Sequence, residues 1–364
     1  MANLPLRVLI AGGGTGGHVI PALAVARELV ERHGAQVRFV GTARGLETRL
    51  VPAAGFPLDL IQVGQLNRVS VATKLKTAAG LPLSVLTCIG LLRKFRPHAV
   101  FGVGGYASGP AMMAAILTRT PRVAFEPNAV PGMANRIVGR WVQAAAVNFP
   151  DTARWFRNAQ VTGIPVRAEF FQLRARPIDA APQLLVFGGS QGARVLNRMV
   201  PQIAEGLFAA VPGLTILHQC GARHLEETEQ VYRAALLERW AGKWAVQQFL
   251  DDMPQHFAAA SLVLCRSGAS TVAELAAAAK PSLLVPFPQA ADDHQRGNAE
   301  VFVKAGAARM ILESELTADG LLAELTRLLE SREELARMGN NARALAHPNA
   351  AAAIAALLDQ QRGA

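Results

Sequence analysis

Two segments of this 364-residue chain share one layout, and this duplication restricts the possible folds more than any other feature. The first segment, VLIAGGGTGGH, covers residues 8–18, and the second, LLVFGGSQGAR, covers residues 184–194. In both, a short apolar run leads into a glycine cluster and then into a helical pattern. Further apolar runs alternate with helical patterns after each segment, which is typical of βαβ units in a parallel sheet. The sequence therefore predicts an α/β chain with two similar, Rossmann-like halves.

The apolar runs and the helical spacing give the bounds of the predicted elements, with a junction between the halves near residues 163–167. Strands are predicted at residues 6–11, 36–40, 99–103, 122–125, 183–187, 214–219, 244–249, 261–265 and 282–286. Helices are predicted at residues 21–32, from about 111, at 135–142, at 194–207, from about 271 and at 332–358, the last with a break at His347 and Pro348. Two such halves facing each other would form a cleft at the carboxyl ends of the strands, which is where parallel sheets bind ligands.

Composition and charge narrow the classes of function. Hydrophobic residues make up 51% of the chain and charged residues 18%, which excludes a disordered or fibrous protein. The net charge of +10 favours an anionic partner. Nucleic acid is not expected, because the chain has only 2 Tyr and its basic residues are dispersed rather than in runs. A phosphate pocket or a membrane-facing surface fits this distribution better.

The cysteines, the amino-terminal sequence and two uncharged stretches indicate the cellular compartment and membrane topology expected for the chain. The three cysteines, Cys88, Cys220 and Cys265, lie far apart without a CxxC pair, so neither a disulfide framework nor a zinc site is expected, and a reducing cytoplasm fits. The amino terminus does not resemble a signal peptide. Residues 99–118 carry no charge but are interrupted by glycines and Pro110, and residues 78–92 are short and broken by Gly80 and Pro82. No transmembrane helix is predicted.

The first glycine loop, residues 12–18, has the spacing GxGxxG, which turns backbone amides toward an anion at a helix start. Alone, this spacing is weak evidence. A dinucleotide site also needs an acid at the end of the second strand to bind the ribose, and this chain has none there. The nearby Arg44 could bind the 2′-phosphate of NADP, so an NADP site stays an alternative. The glycines could also serve only helix packing. His18 follows the loop, and its ordinary pKa of about 6.5 suits a general base, with a capping or packing role as the alternative.

Two further loops follow strands of the first half. Residues 102–110, GVGGYASGP, form a glycine turn with Pro110 near a helix start, which would build a wall of the site or serve only as a turn. Residues 125–132 place Glu126 and Asn128 just after a strand. Asn128 could hydrogen-bond a sugar and Glu126 could orient a group or accept a proton, and an Asx-type turn is the alternative.

The second half carries the more informative loops. Ser190 and its neighbouring amides in GGSQG could hold a phosphate, with Arg167 as a cationic partner. In CRSGASTVAE, residues 265–274, small and hydroxyl residues open a helix whose positive end could face a diphosphate, and Glu274 lies one turn inside. The alternative is that Ser270 or Thr271 caps the helix. A polar loop, residues 286–298, follows the next strand. Asp292, Asp293 and His294 are consecutive, so no metal site is predicted.

In their joint order, these loops resemble one family, the N-acetylglucosaminyltransferases of peptidoglycan synthesis. The resemblance covers nearly the whole chain and rests on GGGTGGHVIPALA, GVGGYASGP, EPNAVPGMAN, GIPVR, FGGSQGA, FLDDMP, CRSGASTVAEL and VPFPQAADDHQRGNA. It implies a GT-B fold, in which the C-terminal helix crosses back to the first domain. The expected domains are residues 1–166 with about 345–364, on the acceptor and membrane side, and residues 167–344, which would bind the UDP-sugar.

The resemblance also implies a reaction. N-acetylglucosamine would pass from UDP-N-acetylglucosamine to the C4 hydroxyl of undecaprenyl-pyrophosphoryl-N-acetylmuramyl-pentapeptide (lipid I), with inversion, giving lipid II for cell-wall biogenesis, cell shape and division. No cofactor or metal is expected. The implied partners are the two substrates, an anionic membrane surface and other cell-wall enzymes, and the implied location is peripheral, on the cytoplasmic face of the inner membrane. Another GT-B transferase with a different glycolipid or soluble acceptor, or an NADP-dependent oxidoreductase, is the alternative.

By the same resemblance, individual residues receive roles. Leu250 would contact uracil through its backbone, Glu274 would bind ribose, and Gln295 would meet the donor sugar. The diphosphate would be held by Ser190 and by the helix start formed by Ala269, Ser270, Thr271, Val272 and Ala273, with Arg167 nearby. From the first domain, the donor site would be closed by Thr15, Gly16, Gly17 and Asn128. Catalytic roles fall to His18, as the base, and to Glu126. This chain has Phe125 and Pro127 where the family usually has His and Gln, which leaves His18 as the better base.

A membrane-facing segment is also expected, at residues 69–92. The segment contains five large aliphatic residues, Leu75, Leu81, Leu83, Val85 and Leu86. Four cations lie among or beside them in the sequence: Arg68, Lys74, Lys76 and Arg93. Apolar residues ringed by cations suit the surface of an anionic bilayer. The alternative is a core helix with a solvated basic face.

Overall fold

A computed structural model describes residues 5–63, 71–173 and 180–363, without the side chains of residues 71–79. The chain divides into two compact units. Unit 1 comprises Met1–Pro165 together with Asn349–Ala364, and unit 2 comprises Val166–Pro348. Each unit is built around its own parallel sheet, as the repeated strand, glycine loop and helix pattern predicts.

Unit 1 contains a seven-stranded sheet in the order β3-β2-β1-β4-β5-β6-β7. Its strands are β1 (Arg7–Gly12), β2 (Gln36–Thr42), β3 (Leu58–Ile61), β4 (Ala99–Gly104), β5 (Arg122–Glu126), β6 (Ala144–Val147) and β7 (Ala159–Val161). Helices α1 (Gly16–His33), α2 (Glu47–Ala53), α3 (Val71–Phe95), α4 (Ser108–Leu117) and α5 (Met133–Val138) connect them. The central strands β1 and β4 are buried on both faces, which explains their unbroken apolar sequence.

Unit 2 repeats this topology with a six-stranded sheet in the order β10-β9-β8-β11-β12-β13. Its strands are β8 (Gln183–Phe187), β9 (Thr215–Gln219), β10 (Trp244–Gln247), β11 (Leu262–Cys265), β12 (Ser282–Leu284) and β13 (Ala308–Met310). Its helices are α6 (Ala168–Phe171), α7 (Arg194–Ala210), α8 (Leu225–Ala235), α9 (Met253–Ala259), α10 (Ala269–Ala277), α11 (His294–Lys304), α12 (Ala318–Glu330) and α13 (Arg332–Ala344). Every strand pair in both sheets is parallel.

The C-terminal tail confirms the predicted break near His347 and Pro348. Helix α13 ends at Ala344, and α14 (Ala350–Asp359) then packs against α1 of unit 1. A contact of 3.4 Å between His33 Nδ1 and Asp359 Oδ2 joins the ends of these two helices. The last helix therefore belongs to unit 1, although the residues before it belong to unit 2.

The prediction that residues 78–92 are broken by Gly80 and Pro82 is wrong. Helix α3 runs through both residues, and it packs against α4 with Cys88 and Leu92 buried. The Ser84 hydroxyl donates to the Gly80 carbonyl at 3.1 Å, close to the turn that Pro82 disturbs. Tertiary packing thus outweighs the local cost of proline. Among the described residues, no helix combines the length and apolarity needed to cross a membrane.

Smaller differences concern element ends. Helix α1 begins at Gly16 rather than residue 21, and α10 at Ala269 rather than 271, because the small loop residues already adopt helical conformation. The predicted helix at 135–142 consists of α5 followed by a 3-10 turn at Gly139–Trp141. The strand predicted at 244–249 ends at Gln247.

Candidate active site

The site loops of unit 2 follow three neighbouring strands. Strands β8, β11 and β12 lie side by side in that order, so the loops at their carboxyl ends meet at one edge of the sheet. These loops contain Ser190, the CRSGAS segment and the polar residues after Pro286. This edge is where open parallel sheets bind their ligands.

The start of α10 is open to a ligand. Its N-cap residue is Gly268, which has no side chain, and the hydroxyls of Ser270 and Thr271 form no hydrogen bond within the described residues. The capping role considered for these hydroxyls is therefore not found. The helix begins with backbone amides that lack an intrahelical partner, and its dipole places partial positive charge there. A bound diphosphate would accept hydrogen bonds from these amides, and the helix dipole would stabilise its negative charge.

Glu274 lies one turn inside α10 and is partly buried. Burial raises the pKa of Glu274 to about 7, although the positive charge of Arg167 acts in the opposite direction. The structure thus brings together the predicted ribose ligand and the predicted phosphate partner. Arg167 itself is exposed, with its guanidinium carbon 5.2 Å from the centre of the Phe170 ring.

Gln295 is oriented by the loop after β12. Its Oε1 accepts a hydrogen bond of 3.0 Å from the Phe287 amide, which leaves its Nε2 group to donate to a ligand. Buried Arg266 fixes that loop: it donates to the carbonyls of Val285 and Pro286 at 3.1 and 3.0 Å and pairs with Glu313 at 2.6 Å. Sequence reasoning missed this role of Arg266, although the residue lies inside the CRSGAS motif.

The loop after β8 approaches the backbone of its neighbour closely. A Cβ on Gly192 would lie 1.8 Å from the Cys220 carbonyl oxygen, so only glycine fits. Asn197 donates to the same carbonyl at 2.9 Å and contacts His218, which contacts Tyr232. Burial lowers the pKa of His218 to about 3, so this supporting network is neutral. Ser190 is exposed at the loop tip.

Leu250 combines a buried side chain with a backbone available to a ligand. It lies between β10 and α9, where Asp252 caps α9 by accepting from the Gln255 amide at 3.3 Å. The amide and carbonyl of Leu250 form no hydrogen bond within the described part of the chain. A backbone amide and carbonyl of this kind can form hydrogen bonds with the edge of a nucleotide base.

In unit 1, the first glycine loop surrounds a side chain that sequence reasoning missed. The carboxylate of Glu47 accepts hydrogen bonds from the Gly14 amide at 2.7 Å, the Thr42 amide at 2.9 Å and the Thr42 hydroxyl at 3.0 Å. The acid that a dinucleotide site would need at the end of the second strand is absent. Glu47 instead follows five residues later and turns back into the loop.

His18 lies in the first turn of α1. Its Nδ1 lies 3.4 Å from the Thr15 hydroxyl, and a Cβ on Gly104 would lie 2.9 Å from its Nε2. The imidazole therefore packs over the glycine turn at the end of β4, which explains the need for glycine there. Thr15 is the N-cap residue without a side-chain cap bond, and Gly16 and Gly17 open the helix.

Glu126 is almost fully buried and organises its own loop. It accepts hydrogen bonds from the Asn128 amide and side chain, the Gly132 amide and the Asn135 side chain, at 2.9 to 3.1 Å. Burial raises the pKa of Glu126 despite these donors. Because Pro127 has no N–H, the next amide, that of Asn128, makes the bond. Asn135 was not predicted, although it lies in the EPNAVPGMAN motif.

The predicted site residues therefore form two groups. Unit 1 holds Thr15, Gly16, Gly17, His18, Glu126 and Asn128. Unit 2 holds Arg167, Ser190, Leu250, Ala269, Ser270, Thr271, Val272, Ala273, Glu274 and Gln295. Within each group, the residues lie at the carboxyl ends of strands or at the helix starts that follow them.

Comparison with protein families identifies both parts of the chain. Residues 8–147 match the glycosyltransferase family 28 N-terminal domain, and residues 183–354 match the family 28 C-terminal domain. The crystal structure of Acinetobacter baumannii MurG superposes with a TM-score of 0.79 at 32% identity, covering 98% of this chain and all of that one (100%). The matches and the two parallel sheets confirm the predicted GT-B fold. The UDP-GlcNAc 2-epimerase of Neisseria meningitidis, at 15% identity and a TM-score of 0.68, shares the fold only.

Relatives with assigned names extend over nearly the whole chain. A protein of Solibacter usitatus is 47% identical over 354 residues, covering 97% of this chain and 95% of its own length. One of Stutzerimonas stutzeri is 44% identical over 352 residues, covering 95% and 96%. Both carry the same transferase name, and the chain is accordingly a hexosyltransferase. It belongs to the family of UDP-N-acetylglucosamine–N-acetylmuramyl-(pentapeptide) pyrophosphoryl-undecaprenol N-acetylglucosamine transferases.

Proposed function

We propose that unit 2 holds the donor for the reaction of this family, in which the chain transfers N-acetylglucosamine from UDP-N-acetylglucosamine to lipid I and forms lipid II. The observation that carries this proposal is the uncapped start of α10 with Glu274 one turn inside. The relatives are transferases, so the oxidoreductase alternative is not retained.

Each part of the donor has a matching group. The ribose hydroxyls would donate to the Glu274 carboxylate, and the diphosphate would accept from the amides of Ala269–Thr271 at the start of the Ala269–Ala273 segment, from Ser190 and from Arg167. Leu250 would hydrogen-bond uracil through its backbone. The Gln295 Nε2 group would donate to the sugar, since its Oε1 is already engaged by Phe287.

The chemical step follows from these roles. The C4 hydroxyl oxygen of the acceptor attacks the anomeric carbon of the donor and forms the new β-1,4 bond, while the bond from that carbon to the UDP oxygen breaks with inversion. His18 takes the proton of the attacking hydroxyl. Negative charge that develops on the departing UDP is stabilised by the start of α10 and by Arg167. Glu126, whose oxygens are engaged by its own loop, acts by positioning Asn128.

We also propose that the chain binds peripherally to the cytoplasmic face of the inner membrane through α3, because the acceptor carries an undecaprenyl chain. Leu83 and Leu86 are 66% and 62% exposed on this helix, and Arg93 and Lys94 follow on its exposed last turn. Exposed leucines beside cations favour an anionic lipid surface. Arg68 and the side chains of Lys74, Leu75 and Lys76 lie outside the described residues. Binding to anionic vesicles tests this proposal.

The donor assignment is tested by replacing Glu274. We expect Glu274→Ala to weaken UDP binding in calorimetry by at least about tenfold, because two ribose hydroxyls lose a charged acceptor, worth about 1.5–3 kcal/mol. Glu333→Ala, which removes an exposed acid on α13 of the same unit, is the matched control and should leave the Kd unchanged. Equal UDP affinity in Glu274→Ala and the unmodified protein would contradict the assignment.

A further inference from the structure

The duplication between the two units extends beyond the glycine loops. After the second strand of each sheet, the chain repeats alanine, arginine, any residue, leucine and glutamate: residues 43–47 are ARGLE and residues 222–226 are ARHLE. In both units these residues lead into the following helix, α2 or α8. The two glutamates, Glu47 and Glu226, therefore occupy equivalent positions at the start of the helix that follows the second strand of each unit.

Glu47 turns inward onto the glycine loop of unit 1. Its side chain is buried, with the residue only 1% exposed, and its two oxygens accept from the Gly14 amide and from the amide and hydroxyl of Thr42. A glycine loop at a helix start directs its amides toward an anion. In this unit, the anion is a carboxylate of the protein itself.

Three glycines make the room that Glu47 needs. A Cβ on Gly45 would lie 1.9 Å from a Glu47 oxygen, one on Gly13 2.2 Å from its carboxyl carbon, and one on Gly41 2.5 Å from its Cγ. Gly13 comes from the first glycine loop, whereas Gly41 and Gly45 belong to the same stretch as Glu47, at the end of β2 and in the turn after it. Any larger residue at these positions would have to displace the carboxylate.

Unit 2 lacks this arrangement. His224 stands where unit 1 has Gly45, and Glu226, the counterpart of Glu47, is exposed. Gly189 is the counterpart of Gly13, and no described atom lies within 4 Å of a Cβ built on it. Instead, the backbone at Gln191 and Gly192 packs closely against Cys220 and Gly221. Within the described residues, no carboxylate accepts a hydrogen bond from the loop of unit 2.

We propose that Glu47 is a positioning residue that fills the anion site of the first glycine loop, holds Gly14 and Thr15 in place ahead of His18, and leaves the loop of unit 2 as the one that accepts the donor diphosphate. A fixed carboxylate at Gly14 also repels a phosphate from that loop. This inference rests on the proposed function for the roles of His18 and of unit 2.

Glu47→Gln tests the positioning role without changing the size of the side chain. An amide group cannot accept hydrogen bonds on both of its ends, so either Gly14 or Thr42 loses its acceptor. We expect kcat for transfer to lipid I to fall at least about tenfold, with the Kd for UDP-N-acetylglucosamine within about twofold of the unmodified protein. Glu226→Gln, at the matched position of unit 2, should change neither quantity. An unchanged kcat in Glu47→Gln would overturn the proposal.

Glu47→Ala adds a readout that a general loss of stability would not produce. Formate at tens of millimolar should restore kcat of this variant several-fold by filling the vacated carboxylate site, whereas chloride should not, and neither salt should affect Glu226→Ala. A loss of kcat that formate does not reverse would overturn the proposal. Should Glu47→Ala fail to fold, the result for Glu47→Gln decides. Failure of the donor assignment would appear separately, as unchanged UDP binding in Glu274→Ala.

Discussion

Three glutamates, Glu47, Glu126 and Glu274, are central to the candidate site, and their different surroundings give them different roles. Glu47 and Glu126 are buried and satisfied by loop donors of unit 1, so both act on the backbone around them. Glu274 has no such donors within the described residues, and burial raises its pKa to about 7. A poorly solvated carboxylate that lacks hydrogen-bond donors is ready to accept them from a ligand.

The raised pKa of Glu274 predicts how donor binding depends on pH. Ribose hydroxyls donate to the ionised carboxylate, so binding favours the form that exists above pH 7. As pH falls below about 7, we expect the affinity for UDP-N-acetylglucosamine to weaken, approaching tenfold per pH unit. Calorimetry with this ligand from pH 5.5 to 8.5 measures this slope, because its doubly esterified diphosphate, unlike the terminal phosphate of UDP, does not titrate in the range. Glu274→Gln should bind the ligand more weakly and without this pH dependence. A pH-independent Kd in the unmodified protein would contradict the role of Glu274.

His18 is assigned as the base, and its packing over Gly104 offers the competing explanation. Glutamine fills a similar volume and forms hydrogen bonds but cannot take a proton. We therefore expect His18→Gln to lower kcat by about 10²-fold or more, with UDP affinity unchanged. Steady-state kinetics with lipid I measure both substitutions, His18→Gln and His18→Ala. If His18→Gln retains kcat while His18→Ala loses it, the residue serves packing.

At the scale of elements, α3 is where the membrane proposal is tested. Replacing Leu83 and Leu86 together by serine removes the exposed apolar surface of this helix but leaves Cys88 and Leu92 buried. We expect co-sedimentation with vesicles containing about 30 mol % anionic lipid to fall at least about threefold. Leu237→Ser, at an exposed leucine of unit 2, is the control. Undiminished vesicle binding by the double variant would locate the contact elsewhere.

The elements also show what the sequence could and could not predict. Strand β8 and the start of α7 have their predicted bounds because apolar runs and glycine loops are local signals. The continuity of α3 through Pro82 could not be predicted, since it depends on packing against α4. Glu47 was missed because the glycine loop that it supports, at Gly14, lies 33 residues away in the sequence. The repeated ARxLE pattern, together with the glycine at position 45, is the signal that could have identified it.

At the scale of the whole molecule, one topology is used twice with different results. Both units place a glycine loop after their first strand, β1 or β8, with the same strand order around it. In unit 1 the loop donates to an internal carboxylate, whereas within the described residues no carboxylate accepts from the loop of unit 2, which lies beside the uncapped start of α10. The net charge of +10 suits two anionic substrates and an anionic surface.

A crystal structure with bound UDP-N-acetylglucosamine tests the central claim most directly. We predict the diphosphate against the amides of Ala269–Thr271, the ribose hydroxyls within hydrogen-bond distance of Glu274, and uracil at the backbone of Leu250. Glu47 should remain on the Gly14 amide in the same crystal. Uridine density at the loop of residues 12–17, with the start of α10 unoccupied, would contradict the account.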